Sequence, residues 1–264
     1  MAKITAADVQ ALRRATGAGI LDARRALVET DGDFDKARRW LREQGLAGAT
    51  KRADRERAEG AVSVVVSGGV GAVIALECET DFVAKSADFV QLVDTLAEAV
   101  ATSGEEALAT YADRIDELKV TMKENIAIGQ HARFEAGSDS VLDSYLHVQN
   151  GRGVNGVLVE LQGGSSTLAH DVAVHIAFAR PEYLSRDDVP KEVIDQERET
   201  ILAIAKNEGK PESQLDKIVE GRLNGWFKER VLLDQAYARD EKQTIASLLG
   251  DAVVRRFAQV VVGS

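Results

Sequence analysis

The chain has 264 residues, 45% of them hydrophobic and 29% charged, a balance that supports a sizeable buried core and excludes a largely disordered protein. Its formal net charge of -10 repels polyphosphate, so nucleic acid is not expected as a main ligand. A single cysteine, Cys78, permits no intrachain disulfide and fits a reducing compartment, and no stretch approaches the roughly 20 apolar residues of a membrane span.

The first residues, Met1-Ala2-Lys3-Ile4-Thr5, lack the apolar run of a signal segment, so a cytoplasmic location and no membrane contact are expected. Residues 4–45 read as three short helices. Thr5 is placed to cap the first, with Asp8 as capping-box acid and Ile4 and Val9 as a hydrophobic staple. Gly17 and Gly19 end it, and Ile20, Ala23 and Leu27 then give the apolar stripe of a second helix. After the Asp31-Gly32-Asp33 turn, Phe34, Ala37, Trp40 and Leu41 are the expected buried side of a third, with Gly45 as its stop. A module of about 45 residues is near the lower limit of independent stability, so tethering or a partner is expected to matter to it.

Residues 46–60 mix acids and bases without periodicity, which suits an exposed linker, set at 51–60, better than an RNA patch. The remainder holds an internal repeat. In the first copy, residues 61–66, a Ser67-Gly68-Gly69 turn and residues 70–78 form a hairpin. A loop follows, then a helix carrying Phe89, Leu92, Val93, Leu96 and Val100. The second copy has strands at 144–148 and 157–161 around Asn150-Gly151-Arg152-Gly153, a Gly163-Gly164 loop, and a helix with Leu168, Val172 and Ile176. Third strands are expected at 126–135, with Ile126, Ile128 and Phe134 on one face, and at 253–262. The fold class is therefore α+β: an amino-terminal three-helix module at 1–50 and two related subdomains, 61–139 and 140–264, each a three-stranded antiparallel sheet with helices on one face.

The second subdomain carries an insertion at 188–228, two helical stretches broken by Gly209-Lys210-Pro211. Val193, Ile201 and Ile204 on one arm and Leu215, Ile218, Val219 and Trp226 on the other suffice for a helical hairpin that projects from the core.

The segment Thr80-Asp81-Phe82-Val83-Ala84-Lys85 carries the strongest functional signal, because Asp81 and Phe82 fall where a strand has ended and a helix has not begun. On composition alone, Phe82 tucks under its own helix and Asp81 or Ser86 caps it. The run as a whole, however, resembles the signature of the elongation factor Ts family, and Leu12-Arg13-Arg14-Ala15-Thr16-Gly17-Ala18-Gly19-Ile20 resembles that family's other signature. The resemblance covers nearly the whole chain, Val219-Glu220-Gly221-Arg222 included. It implies ubiquitin-associated-like helices, two core subdomains and a coiled-coil protrusion. It also implies a partner, the GTPase elongation factor Tu, on which the chain acts as a non-enzymatic guanine-nucleotide exchange factor, binding the GDP-bound form and promoting GDP release.

By that match Asp81 and Phe82, flanked by Thr80 and Val83, insert between helices of the GTPase domain near its magnesium and phosphate site. Arg13, Ile20 and Leu21 match contacts of the helical module, although Ile20 equally fits the internal stripe. His147 matches a histidine that meets another domain of the GTPase. The sequence departs from the family pattern at Asp234-Gln235-Ala236-Tyr237, where many members read Gln-Pro-Phe. It also stops at Ser264 after the last expected strand, without the extra carboxy-terminal helices of some members, so the contacts that those helices make are not carried over by the resemblance.

Other chemistries are poorly supported. Cys78 alternates with Ile74 and Leu76, the pattern of a buried inert thiol. Gly68, Gly69 and Gly71 lie in a hairpin turn without the Gly-Lys-Ser/Thr of a phosphate cradle, so no direct nucleotide binding is expected. Glu77 and Glu79 lack the pocket of a hydrolase pair. His131, His147, His170 and His175 have no ligand spacing, so neither metal nor cofactor is expected. The rival reading is a helical adaptor that binds peptides or ubiquitin-like proteins through residues 4–45.

Overall fold

A computed structural model describes residues 4–263; residues 1–3 and 264, at the ends of the expected domains, lie outside it. The chain begins with α1 (Ala6–Thr16), α2 (Ile20–Glu29) and α3 (Phe34–Thr50). The α1 cap forms as its residues demand: the Thr5 side chain accepts from the Asp8 amide, the Asp8 carboxylate accepts from Thr5, and Gly17 closes the helix at φ 67°. Val9, Leu12, Ala23, Ala26, Leu27, Ala37 and Leu41 make the core of the three helices, with Ile4 and Trp40 against it.

Three expectations for this region need correction. Ile20 is 58% exposed, because the buried stripe of α2 runs through Ala23, Ala26 and Leu27 and leaves the first turn on the outside. Phe34 is exposed as well. Gly45 does not stop α3, which continues to Thr50. A Cβ there would lie 2.4 Å from Cγ1 of Val120, so this glycine serves the close approach of α3 to a later helix.

The first sheet follows: β1 (Glu59–Ser67), β2 (Val70–Cys78), α4 (Asp81–Ala84), α5 (Ala87–Ser103), α6 (Ala112–Met122) and β3 (Ala127–Glu135), with strand order β1-β2-β3. The second is built from β4 (Ser140–Gln149), β5 (Arg152–Gln162) and α7 (Ser166–Ala179), then α8 (Lys191–Asn207) and α9 (Leu215–Arg230), and finally β6 (Ala236–Tyr237), β7 (Asp240–Thr244), α10 (Ile245–Leu249) and β8 (Val253–Val261), in the order β4-β5-β8. All pairings in both sheets are antiparallel. Each hairpin closes through two residues with positive φ, Gly68-Gly69 in the first and Asn150-Gly151 in the second. That left-handed pair matches the twist of the strands it joins.

Each sheet packs a helix on one face. Ile74, Leu76 and Cys78 meet Phe89, Leu92, Val93, Leu96 and Val100 of α5, while Val157, Val159 and Leu161 meet Val172 and Ile176 of α7. The opposite faces meet each other through Val62, Val73, Ala75, Phe134, Leu142, Leu158 and Val260. The order of layers is helix, sheet, sheet, helix, and it explains why β2 and β5 are buried on both sides. Glycine permits the contact: a Cβ on Gly156 would press within 2.7 Å of Val62 and Val64.

Phe134 therefore does not share a face with Ile126 and Ile128. Leu76 pairs with Ile128 but Ile74 pairs with His131, so one extra residue on β3 bulges out and reverses the alternation beyond it. Ile126 and Ile128 face α5, and Phe134 faces the second sheet. In the insertion, Val189, Ile201, Val219, Leu223, Phe227 and Val231 form a separate apolar cluster. Ile204 is exposed instead of joining it, and Leu223 and Phe227 supply the packing that the sequence pattern did not single out.

Candidate functional site

Between β2 and α5 the chain makes a single helical turn, α4, where the sequence suggested open loop. Thr80 caps it, its hydroxyl accepting from the Val83 amide at 3.4 Å. Within the turn the side chains divide by direction. Val83 and Ala84 are buried in the α5 core, which corrects the expectation that Val83 offers itself to a partner: its methyl groups anchor the turn. Phe82 points the other way and is 83% exposed. A free Phe in water forgoes burial worth about 1.5–3 kcal/mol, so an aromatic ring held outward marks a contact surface more than a folding element.

Asp81, beside it, pairs with Lys85 one turn on, and that hydrogen bond holds its carboxyl below the usual carboxylate range. Thr80 is fixed from behind. Its amide and hydroxyl both donate to the Glu124 carboxylate, at 3.1 and 2.5 Å. Cys78 donates its thiol proton to the Thr80 carbonyl at 3.2 Å. Burial, and next the nearby Glu124 charge, push the Cys78 thiol up to about 12, which leaves it unreactive.

On the amino-terminal helices, Leu21 is 79% exposed next to the exposed Ile20. Arg13 is also exposed and lines a shallow depression with Gln10, Arg14 and Gly17. His147 lies exposed on β4, its Nδ1 3.3 Å from the Tyr145 hydroxyl. These side chains are distributed over three surfaces and share no enclosed cavity. Among the described residues, no group of three or more His, Cys, Asp or Glu side chains could hold a metal ion, and no helix is long and apolar enough to cross a membrane.

Two features escaped the sequence reading. Phe178, on the outer side of α7, is 78% exposed; α7 periodicity alone marks it as off the buried stripe. Glu124 and Asn125 are buried polar residues behind the Phe82 turn, and nothing local in the sequence signals that they pack there.

Fold and site together define an α+β protein that presents an aromatic side chain from a braced turn at the end of a stiff hairpin. The sequence model of the family described as Elongation factor TS matches residues 79–264. Curated relatives named Elongation factor Ts include those of Pseudarthrobacter chlorophenolicus, 45% identical with all of both chains covered, and Paenarthrobacter aurescens, 44% identical over 98% of this chain and 97% of the relative. That of Micrococcus luteus is 44% identical with all of both chains covered. The chain belongs to the elongation factor Ts family, and so to the translation elongation factors.

Proposed function

We propose that the chain is a guanine-nucleotide exchange factor that binds GDP-bound elongation factor Tu in the cytoplasm and promotes GDP release, with Phe82 as the side chain that enters the partner. The observation that carries this reading is the 83% exposed ring of Phe82 on a turn whose neighbours Val83 and Ala84 are sunk in the core. Membership of the elongation factor Ts family supports elongation factor Tu as the partner. The rest of the reading is that residues 1–50 form a ubiquitin-associated-like module on a 51–60 linker, with core subdomains at 61–139 and 140–264 and a coiled-coil protrusion at 188–228. Separate apolar clusters in the three helices, under each sheet and in the insertion support that division.

Exchange requires no chemical step by the factor, only stabilisation of the nucleotide-free partner. Nanomolar GDP binding corresponds to about 12 kcal/mol, so contacts made only after the nucleotide loosens must offset much of it. Burying the Phe82 ring contributes about 1.5–3 kcal/mol toward that. Asp81, kept ionised by Lys85, brings a negative charge to a site that holds magnesium and phosphate, and weakens their network by competition. Reciprocity then requires GDP to weaken the complex. Arg13, Ile20, Leu21 and His147 add binding surface.

The test is release of labelled GDP from purified elongation factor Tu. The chain accelerates it, and Phe82→Ala loses about tenfold or more of that acceleration. An unchanged rate with Phe82→Ala removes the wedge assignment, and no acceleration by the unmodified chain removes the exchange reading.

A further inference from the structure

Behind the Phe82 turn, three consecutive residues bond to the start of that turn, to α2 and to the segment that follows α3. Lys123 ends α6 in the left-handed conformation, φ 60°, and so turns the following pair back toward the end of β2. Its ammonium donates to the Asp22 carboxylate at 3.0 Å, next in sequence to Leu21. Glu124 accepts three hydrogen bonds: the Glu79 amide at 3.0 Å, the Thr80 amide at 3.1 Å and the Thr80 hydroxyl at 2.5 Å. In return the Glu79 carboxylate accepts the Asn125 amide at 2.6 Å. The Asn125 side chain donates to the carbonyls of Ala53 and Arg55, at 2.9 and 2.8 Å, in the segment that joins the three helices to the first strand.

These bonds are of unequal weight. The Lys123 and Asp22 side chains are both more than half exposed, and such pairs contribute little. Glu124 and Asn125 are buried, and hydrogen bonds to an ionised, buried carboxylate are about twice as strong as neutral ones. The Glu124 bonds also fall on the two residues that precede Asp81 and Phe82, where they set the direction in which α4 leaves the strand. The Thr80 hydroxyl reaches Glu124 while also capping the turn.

We propose that Lys123, Glu124 and Asn125 form a strut that holds the Phe82 turn in register with the amino-terminal helices, and that Glu124 is a positioning residue for Phe82. The proposal rests on the exchange reading and adds a requirement to it: the ring must be aimed before it meets the partner. A preset turn loses less freedom on binding, so the strut acts on the step in which Phe82 enters, not on the surface that first docks.

The test uses the full chain with Glu124→Gln, which keeps the size of the side chain and an oxygen for the two amides but removes the negative charge and puts a donor where the Thr80 hydroxyl now donates. Labelled GDP release from elongation factor Tu is followed over a range of exchange-factor concentrations. The expected result is a maximal rate lowered about tenfold with the half-saturating concentration changed less than about threefold. In a Phe82→Ala background Glu124→Gln causes no further loss, because it acts through the ring. Thr80→Val, which removes the hydroxyl bond to Glu124 together with the cap on the Val83 amide but leaves both amide bonds, gives a loss that is likewise absent with Phe82→Ala. Amide hydrogen exchange without the partner reads the strut independently, and Glu124→Gln accelerates exchange at Glu79 and Thr80 but not in the centre of β5. Losses that add to those of Phe82→Ala overturn the proposal, as do an unchanged maximal rate or unchanged protection at Glu79 and Thr80. If the unmodified chain releases no GDP, the exchange reading falls and the role of Glu124 toward Phe82 falls with it, whereas a failure confined to Glu124→Gln leaves exchange standing.

Discussion

His175 and Gln235 are hydrogen-bonded across 2.9 Å in a buried site between α7 and the segment that follows α9. The Ala238 amide donates to the other ring nitrogen, Nδ1, at 3.2 Å. Nε2 must therefore carry the proton and donate to Oε1 of Gln235, which assigns a neutral imidazole from its partners. Gln235 passes the connection on, donating to the Glu229 carbonyl at 2.8 Å. Burial lowers the His175 pKa, and the Gln235 bond opposes that shift without cancelling it.

A pH dependence of stability follows from the sign of that shift. Unfolded His175 has the ordinary value near 6.5, and the folded value is lower, so between the two the unfolded chain binds more protons. The stabilisation is complete above about pH 6.5 and is lost as pH falls toward the folded pKa. Urea midpoints measured at pH 7.5 and pH 5.5 should be lower at the acid end, and His175→Gln should flatten that slope while lowering stability at both. The depressed carboxyls of Asp8, Asp33, Asp81, Glu160 and Glu208 act in a different window, below their ordinary values near 4.

Gly45 and Val120 make a second, steric prediction. A methyl group at Gly45 would sit 2.4 Å from the Val120 side chain, closer than packed atoms tolerate. Replacing Gly by Ala in a helix gains up to about 1 kcal/mol, while overpacking costs about 1–3 kcal/mol. Gly45→Ala should therefore lower stability by about 1 kcal/mol, or roughly 2–4 °C in Tm. Adding Val120→Ala should recover part of the loss, although Val120→Ala alone destabilises. Strict additivity of the two would show that the contact does not govern.

Much of this arrangement was legible from local pattern. Thr5 with Asp8, Gly68-Gly69 and Asn150-Gly151 announce caps and turns because their signals act within a few residues. The outward Phe82 was legible from its motif, whereas composition alone favoured a buried ring. What the sequence did not disclose depends on distant partners. Gly45 looks like a helix stop until Val120 is placed against it. Phe134 keeps the parity of Ile128 in sequence and loses it through the bulge opposite β2. Val83 sits in the same motif as Phe82, but the direction of the α4 turn sends one to the core and the other to solvent. Glu124 reads as an ordinary surface acid because its three donors lie 44 and 45 residues earlier.

Cys78 should behave as a structural thiol. With a pKa of about 12, on the order of one molecule in 10,000 carries the thiolate at pH 8, and the side chain is fully buried. An aromatic disulfide reagent should label the native protein slowly and the urea-unfolded protein at once. On the proposed exchange function, Cys78→Ala should release GDP from elongation factor Tu as fast as the unmodified chain. Rapid native labelling accompanied by loss of that activity would reopen a role for the thiol.

The amino-terminal helices distinguish an exchange factor from a helical adaptor. Leu21 and Leu27 lie on one helix, but Leu21 is exposed and Leu27 belongs to the three-helix core. Leu27→Ala should destabilise that module by about 2–5 kcal/mol. The pair Ile20→Ala and Leu21→Ala should change stability by no more than about 0.5 kcal/mol each. In an exchange factor the exposed pair contributes part of the docking surface, so its loss should weaken binding to elongation factor Tu about tenfold. The maximal rate of GDP release should be retained at saturating concentration, since Phe82 still enters. In an adaptor those two residues sit at the centre of the only contact, and their loss should abolish association. A titration of the double variant against the GTPase, followed by both binding and GDP release, separates the two, because only the exchange factor keeps a full rate once the weaker binding is overcome.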